Sequence, residues 1–121
     1  MPSPIVYFQI GATDAAAMAD FCREVFGWDV GQPDGAVTDL DTGARAVDPN
    51  DIYVTGSIRQ LAADAAPFVS LHVRVADLDA TIERAVSRGA ALLVPRRDPA
   101  GGASIAVIQA PTGHRFALVQ L

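Results

Sequence analysis

The sequence predicts an α+β fold made from two copies of one strand–helix–strands unit. Three observations carry this reading. Apolar character alternates from Ile5 to Ile10 and again from Phe68 to Val75, the period of two of a half-buried strand. Each run is followed by an aspartate and then by apolar residues at helical spacing, Met18 to Phe26 and Leu78 to Val86. Sliding Asp14 onto Asp77 aligns Tyr7 with Ser70 and Gln9 with His72. A one-residue gap then brings Gly27 onto Gly89, so the chain repeats itself.

In the first strand Val6, Phe8 and Ile10 share one side, while Ile5, Tyr7 and Gln9 share the other. Asp14 is placed to cap a helix, because its carboxylate can accept orphan backbone amides. Met18, Phe21, Cys22, Val25 and Phe26 form the expected buried stripe of that helix, and Gly27 ends it. Short strands follow at Trp28–Val30, Ala36–Asp41 and Tyr53–Ile58. Pro33-Asp34-Gly35, Thr42-Gly43 and Asp48-Pro49-Asn50-Asp51 are the turns between them. Residues 59–67 join the halves.

The second half opens on Val69, Leu71, Val73 and Val75 facing one way, with Phe68, Ser70, His72 and Arg74 facing the other. Asp77 or Asp79 starts a helix whose apolar stripe is Leu78, Ile82, Ala85 and Val86, ended by Gly89. Strands at Ala91–Val94, Ala103–Gln109 and Arg115–Gln120 are broken by Asp98–Gly102 and Pro111-Thr112-Gly113. A chain of 121 residues that is 50% apolar suffices for one modest core. A single domain over 1–121 is therefore expected, with module one at about 1–60 and module two at about 68–121.

Fourteen acidic residues against nine basic ones, all arginine, give a net charge of −5. Such a chain repels phosphate backbones, so no nucleic-acid partner is expected, and a cationic or neutral small organic ligand is the easier one. No apolar run approaches the roughly 18–20 residues of a membrane-spanning helix, so no membrane partner is expected. The single Cys22 cannot form an internal disulfide, and no charged-then-apolar leader precedes the first strand; the expected location is cytoplasmic.

The apolar faces of both first strands should pack on the helices, since burial there gains about 25 cal/mol per Å². The mixed faces are left to line the concave side of the sheet. Tyr7, Gln9, Ser70, His72 and Arg74, joined by Asp39, are accordingly the expected ligand-binding residues. His72 is the imidazole of that set and the candidate general base. Gln9 could hold a carbonyl or amide, and Tyr7 could stack on a planar ligand. No carboxylate pair and no nucleophile–base–orienter set is visible to support catalysis further.

Four stretches resemble the vicinal oxygen chelate superfamily, which groups glyoxalase I, bleomycin resistance proteins and extradiol dioxygenases. They are Tyr7-Phe8-Gln9-Ile10 through Asp14 to Ala19-Asp20-Phe21-Cys22-Arg23-Glu24-Val25-Phe26-Gly27-Trp28, then Val73-Arg74-Val75-Ala76-Asp77-Leu78-Asp79-Ala80, Arg88-Gly89-Ala90, and Ala110-Pro111-Thr112-Gly113-His114-Arg115-Phe116-Ala117-Leu118. The resemblance covers essentially the whole chain in the expected order. It implies two βαβββ modules whose mixed sheets curl round a cleft, often completed in a homodimer. It also implies, in metal-dependent members, a Ni, Co, Fe, Mn or Zn ion held by one ligand from each first and each last strand.

Those positions fall here on Tyr7, Ser70, Ala117 and the Thr55–Ser57 stretch. Serine binds such ions poorly and alanine not at all, so a metal-free protein is expected. A displaced metal site would have to recruit Gln9 and His72 with Asp39, Asp41 or Gln120. The resulting expectation is a bleomycin-resistance-like protein that sequesters a small organic molecule. An enzyme of the lyase, isomerase or dioxygenase kind, using a displaced metal or His72 as general base, is the second reading.

Other residues are read as structural. His114 belongs to a solvated turn and Cys22 to the core, while Trp28 either rims the cleft or caps the core. Arg96 and Arg97 open a Gly- and Pro-rich loop. Gly101-Gly102 is no phosphate cradle, because no helix follows it.

Overall fold

The computed structural model describes residues 2–43 and 54–121. Among them the chain forms eight strands and two helices, and each half reads βαβββ as expected. The first half holds β1 (Ile5–Ala12), α1 (Ala15–Phe26), β2 (Asp29–Val30), β3 (Val37–Asp41) and β4 (Thr55–Gln60). The second holds β5 (Phe68–Arg74), α2 (Leu78–Ser87), β6 (Ala91–Arg97), β7 (Ser104–Gln109) and β8 (Arg115–Gln120). Two compact units result, Val6–Ser70 and Leu71–Leu121, the latter together with the N-terminal residues up to Ile5.

In the first unit the strand order is β2-β3-β4-β1. β1 and β4 run parallel, and β4 pairs antiparallel with β3, which pairs with β2. Phe8, Ile10, Met18 and Trp28 pack round buried Ala19, Leu40 and Ile58. The Phe8 ring occupies the space where a side chain on Gly56 would stand, so this glycine is what lets the ring lie flat on β4.

α1 begins where four backbone amides need partners. The Asp14 carboxylate accepts from Ala17 N at 3.0 Å, and Gln60 Oε1 accepts from Ala15 N at 2.9 Å. Gln60 Nε2 also donates to the Thr13 and Leu61 carbonyls, tying the end of β4 to the entry of the helix. At the other end Gly27 takes a left-handed φ of 69° and donates to Arg23 O.

The second unit repeats this plan with strand order β5-β8-β7-β6. β5 and β8 are parallel and the remaining pairs antiparallel, with β6 shifting register twice along β7. Val75, Leu78, Ala106, Ile108 and Leu118 form the core, covered by Val73, Ile82, Ala85 and Phe116. Asp77, rather than Asp79, is the cap: its carboxylate accepts from Ala80 N at 3.0 Å. Gln120 Oε1 accepts from Leu78 N at 2.6 Å, the counterpart of Gln60.

Several expectations are corrected. α1 buries Ala19 and Cys22, whereas Phe21, Val25 and Phe26 are 49%, 58% and 53% exposed. The small residues take the sheet-facing positions, and the aromatics turn outward. There Phe21 and Phe26 meet edge to face at 5.7 Å, and Phe26 lies 4.9 Å from Trp28. Trp28 itself also meets Phe8 at 5.8 Å and so caps the core.

Val69 and Val86, placed on apolar faces, are exposed; Val69 precedes the part of β5 that pairs with β8. Arg96 and Arg97 belong to β6, which runs longer than its apolar residues suggest. Arg96 bridges Asp79 and Asp98 at 3.0 and 2.8 Å, which fastens this end of β6 to α2. Tyr53 and the Asp48–Asp51 turn lie outside the described residues.

Replacing Gln120 by alanine strands the Leu78 amide. It is expected to lower the unfolding free energy by about 1–2 kcal/mol in a urea titration, with a similar loss for Gln60→Ala. Unchanged midpoints in both variants would show that these caps contribute nothing.

Candidate functional site

The face of the first unit opposite α1 is set by strand register. Gln9 on β1 stands beside Ser57 on β4, and Ser57 stands beside Asp39 on β3, so the three form one row across the sheet. Tyr7 and Gln9 share a face because they stand two positions apart on a strand. The side chains close on Ser57, which is fully buried. Gln9 Nε2 donates to Ser57 Oγ at 3.3 Å, and Tyr7 also hydrogen-bonds the serine hydroxyl. Asp39 is exposed at the open end of the row.

Burial pushes the Tyr7 phenol above its ordinary value, the Ser57 hydrogen bond pulls it partly back, and the nearby Asp39 carboxylate pushes it up again. Tyr7 is therefore a neutral hydroxyl throughout the physiological range. The cluster thus combines a phenol ring, an amide, a serine hydroxyl and one carboxylate on a single strand face. Its chemistry is hydrogen bonding and aromatic contact, with one negative charge.

Ser57 is the residue that sequence reasoning underrated. In sequence it figures only within the Thr55–Ser57 stretch that lacks a metal ligand, although TGSIRQ already places it on the face opposite Ile58. Ser70, also in this unit, is buried on β5.

In the second unit the corresponding row is His72, Ala117 and Val107. Only its first member is polar. His72 is half-buried, and desolvation pushes its imidazole below the ordinary value of 6.5. Arg74 is exposed at the end of β5, where its backbone N–H donates to Pro4 O at 2.8 Å. It lines a cavity of about 460 Å³ with Pro4, Val75 and Leu121.

The residues present do not fit a divalent metal set. The ligand positions implied by the resemblance hold Tyr7, Ser70, Ala117 and the Thr55–Ser57 stretch, and Tyr7 is already engaged with Ser57. The displaced alternatives are committed elsewhere: Gln120 Oε1 caps α2, and Asp41 Oδ1 accepts from Gly43 N at 2.9 Å. Among the described residues no three His, Cys, Asp or Glu side chains gather closely enough to hold an ion. Nor is any helix among them long and apolar enough to cross a membrane.

The family model described as "Glyoxalase-like domain" matches residues 6–119. The chain belongs to the glyoxalase-like domain family. Solved structures agree on its fold. A glyoxalase/bleomycin resistance protein/dioxygenase superfamily member from Vibrio splendidus 12B01 superposes with a TM-score of 0.67 at 17% identity, covering 98% of this chain and 97% of its own. Methylmalonyl-CoA epimerase of Streptomyces coelicolor gives 0.65 at 18% identity, with 99% and 98% covered. The Mn(II)-bound glyoxalase of Novosphingobium aromaticivorans gives 0.67 at 16% identity, and the match spans 98% of this chain but 40% of that one. At such identities the likeness is one of fold. No protein of curated function matches the chain.

The half-buried His72 of this glyoxalase-like domain has a consequence for stability. Its folded pKa lies below its unfolded one, so the unfolded chain takes up a proton that the folded chain resists. Stability is therefore complete above the ordinary value of 6.5 and is lost as pH falls through it toward the depressed folded value. Compared with the parent protein, His72→Gln should lose less stability between about pH 7.5 and 5 in parallel denaturation curves. Equal slopes for both proteins would contradict the depressed value.

Proposed function

We propose that this protein binds a small organic molecule on the polar strand face of its first module, without a metal ion. The observation that supports it is the convergence of Tyr7, Gln9 and Asp39 about the buried Ser57. An amide, a phenol and a carboxylate together suit a planar ligand with hydrogen-bonding edges and a neutral or positive charge. The Tyr7 ring offers it a stacking surface, and Asp39 offers a counter-charge. The net charge of −5 acts in the same direction over longer range. Sequestration in the manner of a bleomycin resistance protein is the role that fits this chemistry. The reading includes a cytoplasmic location and the homodimer that the family resemblance implies.

One observation favours a second reading. Burial keeps the His72 imidazole in its basic form at neutral pH, as a general base requires. Proton transfer beside a carbonyl, the kind of chemistry performed by an epimerase such as the Streptomyces coelicolor neighbour, would use such a group. An anionic acyl-thioester substrate would meet an acidic protein, which weighs toward the first reading.

A panel of cationic and neutral aromatic compounds, screened by thermal shift and titrated by calorimetry, separates the two. Saturable binding that weakens about tenfold in Gln9→Ala, for a lost hydrogen bond to bound ligand, is the expected result. His72→Ala should leave that affinity intact. Turnover of a bound compound that disappears in His72→Ala would establish the second reading, and the absence of any saturable binder would contradict the first.

A further inference from the structure

The two modules are copies, so each supplies a control for the packing of the other. Aligning their helix caps, Asp14 with Asp77, places Ala15 on Leu78 and Ala19 on Ile82. Strand register places Thr38, beside Ile58, on Ala106, beside Leu118. In module two the small Ala106 is complemented by Leu78, which is fully buried, and by Ile82 packed against the same core. In module one no such complement exists. Between α1 and the β2–β3 segment lies a cavity of about 400 Å³, lined by Ala15, Ala19, Val30, Ala36 and Thr38, among others.

This space lies on the helix side of the sheet, away from Tyr7, Gln9 and Asp39. It is a groove open to solvent, with Asp20, Arg23, Gln32 and Gln60 beside the alanines of its lining. Thr38 adds a polar group. It is only 7% exposed, and its side chain has no hydrogen-bond partner among the described residues. No described side-chain oxygen or nitrogen is both sealed from open space and unpartnered, so the Thr38 hydroxyl opens onto the cavity it lines. A hydroxyl set among alanine and valine side chains in a groove is how a binding pocket orients one polar group of a ligand.

The rest of the lining narrows the ligand. Its charged side chains are Asp20 and Arg23, which are exposed and pair with each other at 2.8 Å. The Gln60 amide is committed to Ala15 N and to the Thr13 and Leu61 carbonyls, and Gln32 is exposed to solvent. We infer that the space between α1 and the β2–β3 segment is a second binding site, taking a compact uncharged molecule with an apolar body and a single carbonyl or hydroxyl directed at Thr38.

Cyclohexanone and benzyl alcohol, titrated into ¹⁵N-labelled protein, test this directly. The expected result is saturable shifts of the amides from Ala15 to Arg23 and from Val30 to Thr38. Ala19→Ile reproduces the filled arrangement of module two and should abolish those shifts while the remaining spectrum stays folded. Ala15→Leu does the same from the neighbouring position and stands in should the first variant fail to fold. Thr38→Val keeps the shape, removes the hydroxyl, and should weaken binding by about threefold or more. Shifts that do not saturate, that fall instead on Tyr7, Gln9 and Asp39, or that persist in the filled variants would overturn the inference.

Discussion

The rest of the structure depends on one hydrogen bond made twice. In each module a glutamine that ends the last strand accepts from the first amide of the helix, Gln60 from Ala15 N and Gln120 from Leu78 N. The partners are 45 and 42 residues apart, so the bond closes the whole module rather than one turn of it. It satisfies the first amide of the helix and fixes the helix across the parallel strand pair. Once the helix covers one face of β1 and β4, the residues on the opposite face are released from packing. Polar side chains can then occupy that face at no cost to the core.

The two copies have spent that freedom differently. Along the same row, module one carries Gln9, Ser57 and Asp39 where module two carries His72, Ala117 and Val107. On the helix side the asymmetry is reversed. Module two fills its space with Leu78 and Ile82, and module one leaves Ala15 and Ala19 facing a gap. A shared backbone plan with opposite side-chain volumes explains how one duplicated fold can hold a well-packed half and a half with an open groove beside its helix.

Much of the fold was legible because it rests on local signals. The alternation of Ile5–Ile10 and Phe68–Val75, the caps at Asp14 and Asp77, and the left-handed Gly27 each follow from neighbouring residues. The outward turn of Phe21, Val25 and Phe26 was not legible, because helical spacing fixes a stripe without saying which side of it meets the sheet. The caps by Gln60 and Gln120 and the bridge from Arg96 to Asp79 link residues far apart in the chain, and no local pattern announces them. At the candidate site Tyr7, Gln9 and Asp39 could be chosen from the strand pattern. Ser57, about which they gather, emerges only when β4 is set in register against both β1 and β3.

The central claim is that this glyoxalase-like domain uses its polar strand face for an organic ligand and not for a metal ion. Elemental analysis tests it most directly, on untagged protein purified without chelator and then incubated with Ni, Co, Fe, Mn and Zn in turn. The account predicts no stoichiometric metal in any sample. Near-stoichiometric metal that disappears in Gln9→Ala and in His72→Ala would contradict it and make the protein a metal-dependent member of its family.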